Sequence, residues 1–135
     1  MASFAPLVRD VPASQTFYRA ALGLSFEGGD GDYVFTDRMD SSKHFGLWPL
    51  NDAARSCFDA PEWPSDVPVP QGCLEFELES VAAVTDAVDE LEALGHRLLR
   101  RAKEEPWKQT TARLLSPEGL LIGLCYTPWL HPESK

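Results

Sequence analysis

Apolar and polar positions along these 135 residues fall into two blocks with one pattern. In the first block, residues 4–9 are mostly apolar and predict a strand. Asp10 is placed to cap a helix, with Pro12 in its first turn, where a missing N–H costs nothing. Phe17, Ala20, Ala21 and Leu24 follow helical spacing, and Gly23 supplies the stop. Extended structure is expected over 24–27, a glycine-rich hairpin turn over 28–32, a strand over 33–36, a polar turn over 37–42 and a strand over 44–48.

The second block repeats the order. Residues 73–79 alternate Leu74, Phe76 and Leu78 against Cys73, Glu75 and Glu77, the signature of a half-buried strand. Ser80 can cap a helix whose buried stripe is Val81, Val84, Val88, Leu91 and Leu94. Asp86, Asp89, Glu90 and Glu92 form its wet face, and Gly95 ends it. Strands are expected over 96–101, 110–115 and 120–126, and a tail over 128–135 anchored by Trp129. Between the blocks, 51–58 suggest a short helix, followed by Pro61, Pro64, Pro68 and Pro70 in a stiff connector. The predicted class is α+β: two βαβββ modules, 1–58 and 71–135, joined by a proline-rich linker at 59–70 and sharing one curved mixed sheet. Helices cover one face, which leaves the other as a concave pocket or a subunit interface.

Composition narrows the partners. A formal charge of −9 repels phosphate backbones and anionic membranes, so neither nucleic acid nor membrane is expected as a partner. No apolar run approaches the roughly 18 residues of a membrane span, and the start of the chain lacks the pattern of a signal peptide, so a cytoplasmic location is the expectation. Cys57, Cys73 and Cys125 are odd in number and widely spaced, which suits reduced, buried thiols better than a disulfide framework. The basic cluster His96, Arg97, Arg100, Arg101 and Lys103 has no interleaved aromatics and reads as a solvated edge strand.

Val8-Arg9-Asp10, Phe17-Tyr18 and Leu22-Gly23 resemble the V-x-D…F-Y…L-G entry of the vicinal oxygen chelate superfamily, which holds glyoxalase I, bleomycin-resistance proteins, extradiol dioxygenases and fosfomycin-modifying enzymes. Pro106-Trp107-Lys108-Gln109 is similar to its P-W-G-Q, and the run from Ser116 to Ile122 to its D-P-D-G-N-L-I. The resemblance spans nearly the whole chain and implies the cup-shaped fold of that group. Its metal-dependent members draw ligands from the first and last strand of each module. Those positions fall here on Ser3, Gly46, Cys73 and Gly123, where the family would want His or Gln, Glu, His and Glu. Glycine offers no donor, so no metal and no cofactor are expected.

Glu75 shares a strand face with Cys73, which the resemblance implies points into the cup. It is either a contact for a cationic or amine-bearing ligand, a base if burial raises its pKa, or half of a salt bridge to Arg113 or Arg9. His44 is a candidate proton carrier or a partly exposed strand-start residue. Trp48 is a stacking platform or core packing. Trp63 and Trp107 either rim a pocket or pin their loops, and Gln109 is a hydrogen-bonding group by the family match. The candidate ligand set is thus Gly46, Trp48, Trp63, Cys73, Glu75, Trp107, Gln109, Arg113 and Gly123, with the two glycines enlarging the cavity. The expected function is metal-independent small-molecule binding by a homodimer closest to bleomycin-resistance-like members, with a cationic or aromatic ligand and antibiotic sequestration as one version. One alternative is a glyoxalase- or dioxygenase-like lyase or oxidoreductase with an atypical metal site built on His44, Glu75 and Cys73, or a metal-free acid/base site using Glu75 or His44; another is a regulatory or interaction module whose cup is filled by its own side chains.

Overall fold

The computed structural model describes residues 3–28, 33–37 and 44–131. The first module runs β1 (Ser3–Val8), α1 (Val11–Thr16) with a π-helical turn (Phe17–Ala21), β2 (Glu27–Gly28), β3 (Val34–Thr36) and β4 (His44–Pro49). A helix, α2 (Leu50–Phe58), follows directly. The second module runs β5 (Gly72–Glu77), α3 (Val81–Ala93), β6 (Leu98–Glu104), β7 (Thr110–Leu115) and β8 (Leu121–Tyr126), then a 3-10 turn (Pro128–Leu130). The strands form one sheet in the order β2-β3-β4-β1-β5-β8-β7-β6. Of the hairpin turn expected over 28–32 and the polar turn expected over 37–42, residues 29–32 and 38–42 lie outside the described residues.

The two modules join edge to edge. β1 pairs antiparallel with β5, setting Ser3 opposite Glu75 and Ala5 opposite Cys73. Each then pairs parallel with its own module's last strand, β1 with β4 and β5 with β8. Exchanging the modules therefore maps Ser3 onto Cys73 and Ala5 onto Glu75, the symmetry that the doubled sequence pattern implies.

Alternation along the strands sorts side chains onto two faces. Val8, Phe45 and Leu47 meet Val11 and Tyr18 of the first helical segment, and Val84, Val88 and Ala112 meet Leu78 and Leu124. Both helices are capped as their sequences predict: Asp10 accepts from Ala13 N at 3.0 Å and Ser80 from Ala83 N at 3.0 Å. The other face carries a third core of Ala5, Trp48, Ala53, Cys57, Cys73 and Leu121. Two of these, Ala53 and Cys57, come from α2, so this helix closes one end of what the sequence leaves as an open cup. Cys57, Cys73 and Cys125 are all free and buried.

Several local expectations need correction. On α3 only Val84 and Val88 are fully buried, while Val81 at its first position and Leu94 just after its last are exposed. Trp129 is 61% exposed and anchors nothing. The strand expected over 96–101 starts two residues later, since Gly95 at φ +93 and the backbone bond from His96 N to Leu91 O spend that stretch on finishing the helix. Its basic residues are not merely solvated: Arg100 and Lys103 pair with Asp59 after α2, and Arg101 with Asp89 and Glu92 of α3. Among the described residues no helix is long and apolar enough to cross a membrane.

The turn between β6 and β7 is held by Lys108 N to Glu105 O at 2.9 Å and Glu105 N to Gln109 O at 2.7 Å. It places Lys108 at φ +77, a conformation that costs an L-residue on the order of 1 kcal/mol and costs glycine little. Lys108→Gly should therefore raise stability by about 1 kcal/mol in chemical denaturation; an equal or lower midpoint would show that the turn holds no such strain.

Candidate functional site

Three strands set the centre of the concave face. Glu75 of β5 lies opposite Gly123 of β8, and Gly123 lies opposite Arg113 of β7. Acid and base are thus two strand spacings apart, roughly 10 Å at the backbone. Gly123 lets them meet. A Cβ there would overlap the Arg113 guanidinium and press on Glu75 Cγ at 3.1 Å. With no side chain in the way, Arg113 crosses its neighbour strand, and Nη1 donates to Glu75 Oε2 at 3.0 Å and to Cys73 Sγ at 3.4 Å. Of the two partners open to Glu75 in the sequence, Arg113 is the one used; Arg9 is exposed at the outer end of β1.

Arg113 is fully buried. Its guanidinium carbon stands 5.0 Å from the centroid of Trp48, a cation–π contact that takes up the indole face proposed as a ligand platform. Its Nε donates to Ser56 Oγ of α2 at 3.3 Å. Ser56 in turn donates to Glu105 Oε2 at 2.5 Å, and so does Thr111 Oγ1 at 2.7 Å. Glu105, only 2% exposed, is the deepest acid of the face and carries no signal in the sequence beyond preceding the Pro106-Trp107 turn. Glu75 Oε1 accepts from Ser3 Oγ at 3.1 Å and Gln109 Nε2 at 3.2 Å, and Gln109 Oε1 accepts from Trp107 Nε1 at 2.9 Å. Burial by itself would raise the Glu75 carboxyl, but the Arg113 charge and the hydrogen bonds from Gln109, Arg113 and Ser3 hold it below the usual glutamate range. It is accordingly a poor proton acceptor, which removes the sequence-based idea of Glu75 as a base with a raised pKa.

The other glycine works the same way. A Cβ on Gly46 would overlap the phenol of Tyr33. Tyr33 hydrogen-bonds to His44 Nε2, and His44 Nδ1 bonds to Asp37 Oδ1 at 2.6 Å. Tyr33, Phe35 and His44 stack as one aromatic wall, with Phe35 5.8 Å from Tyr33 and 5.2 Å from His44. So Gly46 and Gly123 do not enlarge an empty cavity: each makes room for a side chain of the protein itself. Trp63 both pins its loop and rims a cleft. It is held by Val67 O and Pro68 O in the connector, packs edge-on against Phe58, and lines a separate cleft of ≈ 760 Å³ between α1, α2 and the connector. A smaller cavity of ≈ 360 Å³ lies between Ser56, Glu105 and Trp107. Tyr33 and Asp37 are missed in the sequence because a glycine-rich hairpin and a polar turn mask their shared register with His44.

A family model for the glyoxalase/bleomycin resistance protein/dioxygenase superfamily matches residues 2–124. The chain belongs to this superfamily. The fold agrees with solved structures: a Legionella pneumophila protein described as an NAD-dependent benzaldehyde dehydrogenase (TM-score 0.63, 14% identity, 92% of this chain and 96% of that one) and a superfamily member from Vibrio splendidus 12B01 (TM-score 0.59, 18% identity, 93% and 97%). At such identities the likeness concerns fold alone. No curated protein matches the chain.

A divalent metal of the kind held by this superfamily's metalloenzymes does not fit the residues present. The four ligand positions offer one hydroxyl and one thiol, and burial and the nearby Glu75 carboxylate push that Cys73 thiol up to about 12, with Arg113 opposing. The space over Gly123 holds a guanidinium, whose charge repels a cation. His44, Glu75 and Cys73 do not assemble the alternative site either: among the described residues no group of three or more His, Cys, Asp or Glu side chains is placed to hold a metal.

Arg113→Met should destabilise the protein by about 3–5 kcal/mol at neutral pH, because it leaves Glu75 buried without its cation. The pH dependence carries the sign. In the wild type the Glu75 contribution is present above the ordinary glutamate pKa and lost as pH falls through the lowered folded value. In the variant burial raises that carboxyl, so acidification relieves it. Urea midpoints of the two proteins should converge as pH falls below the lowered Glu75 value; a constant gap would show that Glu75 is not what Arg113 serves.

Proposed function

We propose that this chain is a metal-independent small-molecule-binding protein, with its ligand on the part of the concave face that α2 leaves uncovered. The observation that carries the reading is a half-filled cup. One end is packed solid by α2 against Trp48, Cys73 and Leu121. Beside it stand the partly exposed Tyr33–Phe35–His44 wall and the partly exposed Glu75, which is joined by hydrogen bonds to the buried Ser3 and Gln109, and Gln109 in turn accepts from the half-exposed indole of Trp107. Aromatic walls with a few convergent polar groups suit a small organic ligand.

Charge favours a cationic or amine-bearing aromatic. The face holds Glu75, Glu77 and Glu105 against the buried Arg113 guanidinium, with Lys103 Nζ 3.6 Å from Glu105 and His131 Nε2 2.7 Å from Glu77. A ligand ammonium would improve this balance. Sequestration of a basic antibiotic is one form such binding could take. The Asp37–His44–Tyr33 chain favours a second reading, a metal-free acid/base enzyme using the same face.

A planar aromatic cation such as ethidium should quench tryptophan fluorescence. Trp107→Phe should remove most of the quench, and Glu75→Gln should weaken affinity about tenfold, or about 1.4 kcal/mol. Quenching that is unchanged in both variants would place the ligand elsewhere or nowhere.

A further inference from the structure

Glu105 is buried just after β6 with half of its carboxylate uncommitted. Its backbone is locked, since its N–H donates to Gln109 O and its carbonyl accepts from Lys108 N. Oε2 accepts from Ser56 Oγ at 2.5 Å and from Thr111 Oγ1 at 2.7 Å, and Arg113 Nη2 stands 3.9 Å from it. Oε1 accepts no hydrogen bond among the described residues. Lys103 Nζ is 3.6 Å from it, too far to donate. A buried carboxylate oxygen ordinarily has a donor. Lys103 also has capacity left. Its ammonium carries three hydrogens, and the protein offers it Arg55 O at 3.5 Å and Asp59 Oδ1 at 3.3 Å.

This acceptor and this donor line the same cavity, the one of ≈ 360 Å³ between α2 and the β6–β7 turn. Its size falls among ligand pockets, which span about 300–1,000 Å³. Pro61, Pro106 and Trp107 supply apolar walls. Arg55 and Lys103 balance Asp59 and Glu105 along the lining, so a ligand charge of either sign would meet a like charge.

We propose that this cavity is a binding site for a neutral, planar lactam or other cyclic amide, whose N–H donates to Glu105 Oε1 and whose carbonyl accepts from Lys103 Nζ. A ring holds its amide cis, which puts donor and acceptor side by side on one edge, as the acceptor and donor of the protein are. Both protein groups gain the partner they lack, and no proton has to change hands. The flat ring lies against Trp107 and the two prolines. The site goes beyond the binding reading above. It shares the indole of Trp107 with that surface but needs neither the Tyr33–Phe35–His44 wall nor a cationic ligand.

The probe is 2-quinolinone, which carries such an edge, titrated into the full chain by isothermal calorimetry. The wild type should bind one equivalent. Loss of one hydrogen bond to a charged group costs roughly tenfold or more in affinity. N-methyl-2-quinolinone keeps the ring and carbonyl but has no N–H for Glu105, and it should bind at least about tenfold more weakly. Lys103→Met keeps the apolar stem and removes the donor, with a similar loss expected. Glu105→Gln should lose as much, and Lys103, being partly exposed, keeps the site testable even if that variant does not fold. No binding of 2-quinolinone to the wild type, equal binding of its N-methyl form, an unchanged affinity in Lys103→Met, or tighter binding of the 2-aminoquinolinium cation would each overturn the assignment.

Discussion

The reach of Arg113 across Gly123 to Glu75 is the constraint on which the concave face depends. One guanidinium ties β7 to β5 over a strand that offers no side chain, touches the thiol of Cys73, covers Trp48 and engages Ser56 of α2. Each contact is modest alone. Together they place a permanent cation at the centre of the sheet and leave every nearby acid defined by its relation to it. Glu75 is held ionised, and Glu105 is satisfied by Ser56 and Thr111 with Arg113 Nη2 3.9 Å away. Replacing such a network by apolar residues need not cost stability, but removing one member does.

The same arrangement divides chemistry from packing. In a metal-holding cup, carboxylates at the two equivalent last-strand positions would point inward and converge on a cation. Here both positions are glycine, and a long side chain from elsewhere lies over each: Arg113 from β7 and Tyr33 from the edge of β3. Beside these two side chains lie the aromatic wall of Tyr33, Phe35 and His44 and the hydrogen-bonded row from Ser3 to Trp107.

Much of the fold was legible because its signals are local and doubled. Alternation in 73–79, the caps at Asp10 and Ser80, and the stops at Gly23 and Gly95 all act within a few residues, and the module repeat confirms each against its copy. The absence of family ligands was readable for the same reason, since Gly46 and Gly123 sit at fixed offsets in strands. What the glycines are for was not readable. Whether an empty position is a cavity or a passage depends on residues two strands away, and nothing in the spacing of Arg113 or Tyr33 announces that they cross. The helix α2 was visible as a segment, yet its docking into the cup depends on Ala53 and Cys57 packing with residues of β1, β4, β5 and β8 and on Ser56 meeting partners 49 and 57 residues distant in the chain. The tryptophans show the limit from the other side: residue type left platform or core open for Trp48 and pocket rim or pin open for Trp63, and only the surroundings show a buried floor and a connector pin, while Trp129, expected as an anchor, is exposed.

The central claim is that Arg113 stands where a metal would otherwise be held. Metal content and thermal response test it together. Freshly purified full-length protein should contain less than about a tenth of an equivalent of transition metal per chain, and added Zn²⁺, Ni²⁺, Fe²⁺ or Mn²⁺ should leave its Tm unchanged, because only a ligand that binds the native state raises it. One full equivalent of metal per chain, lost with a drop in Tm on chelation and regained on adding the ion back, would contradict the account.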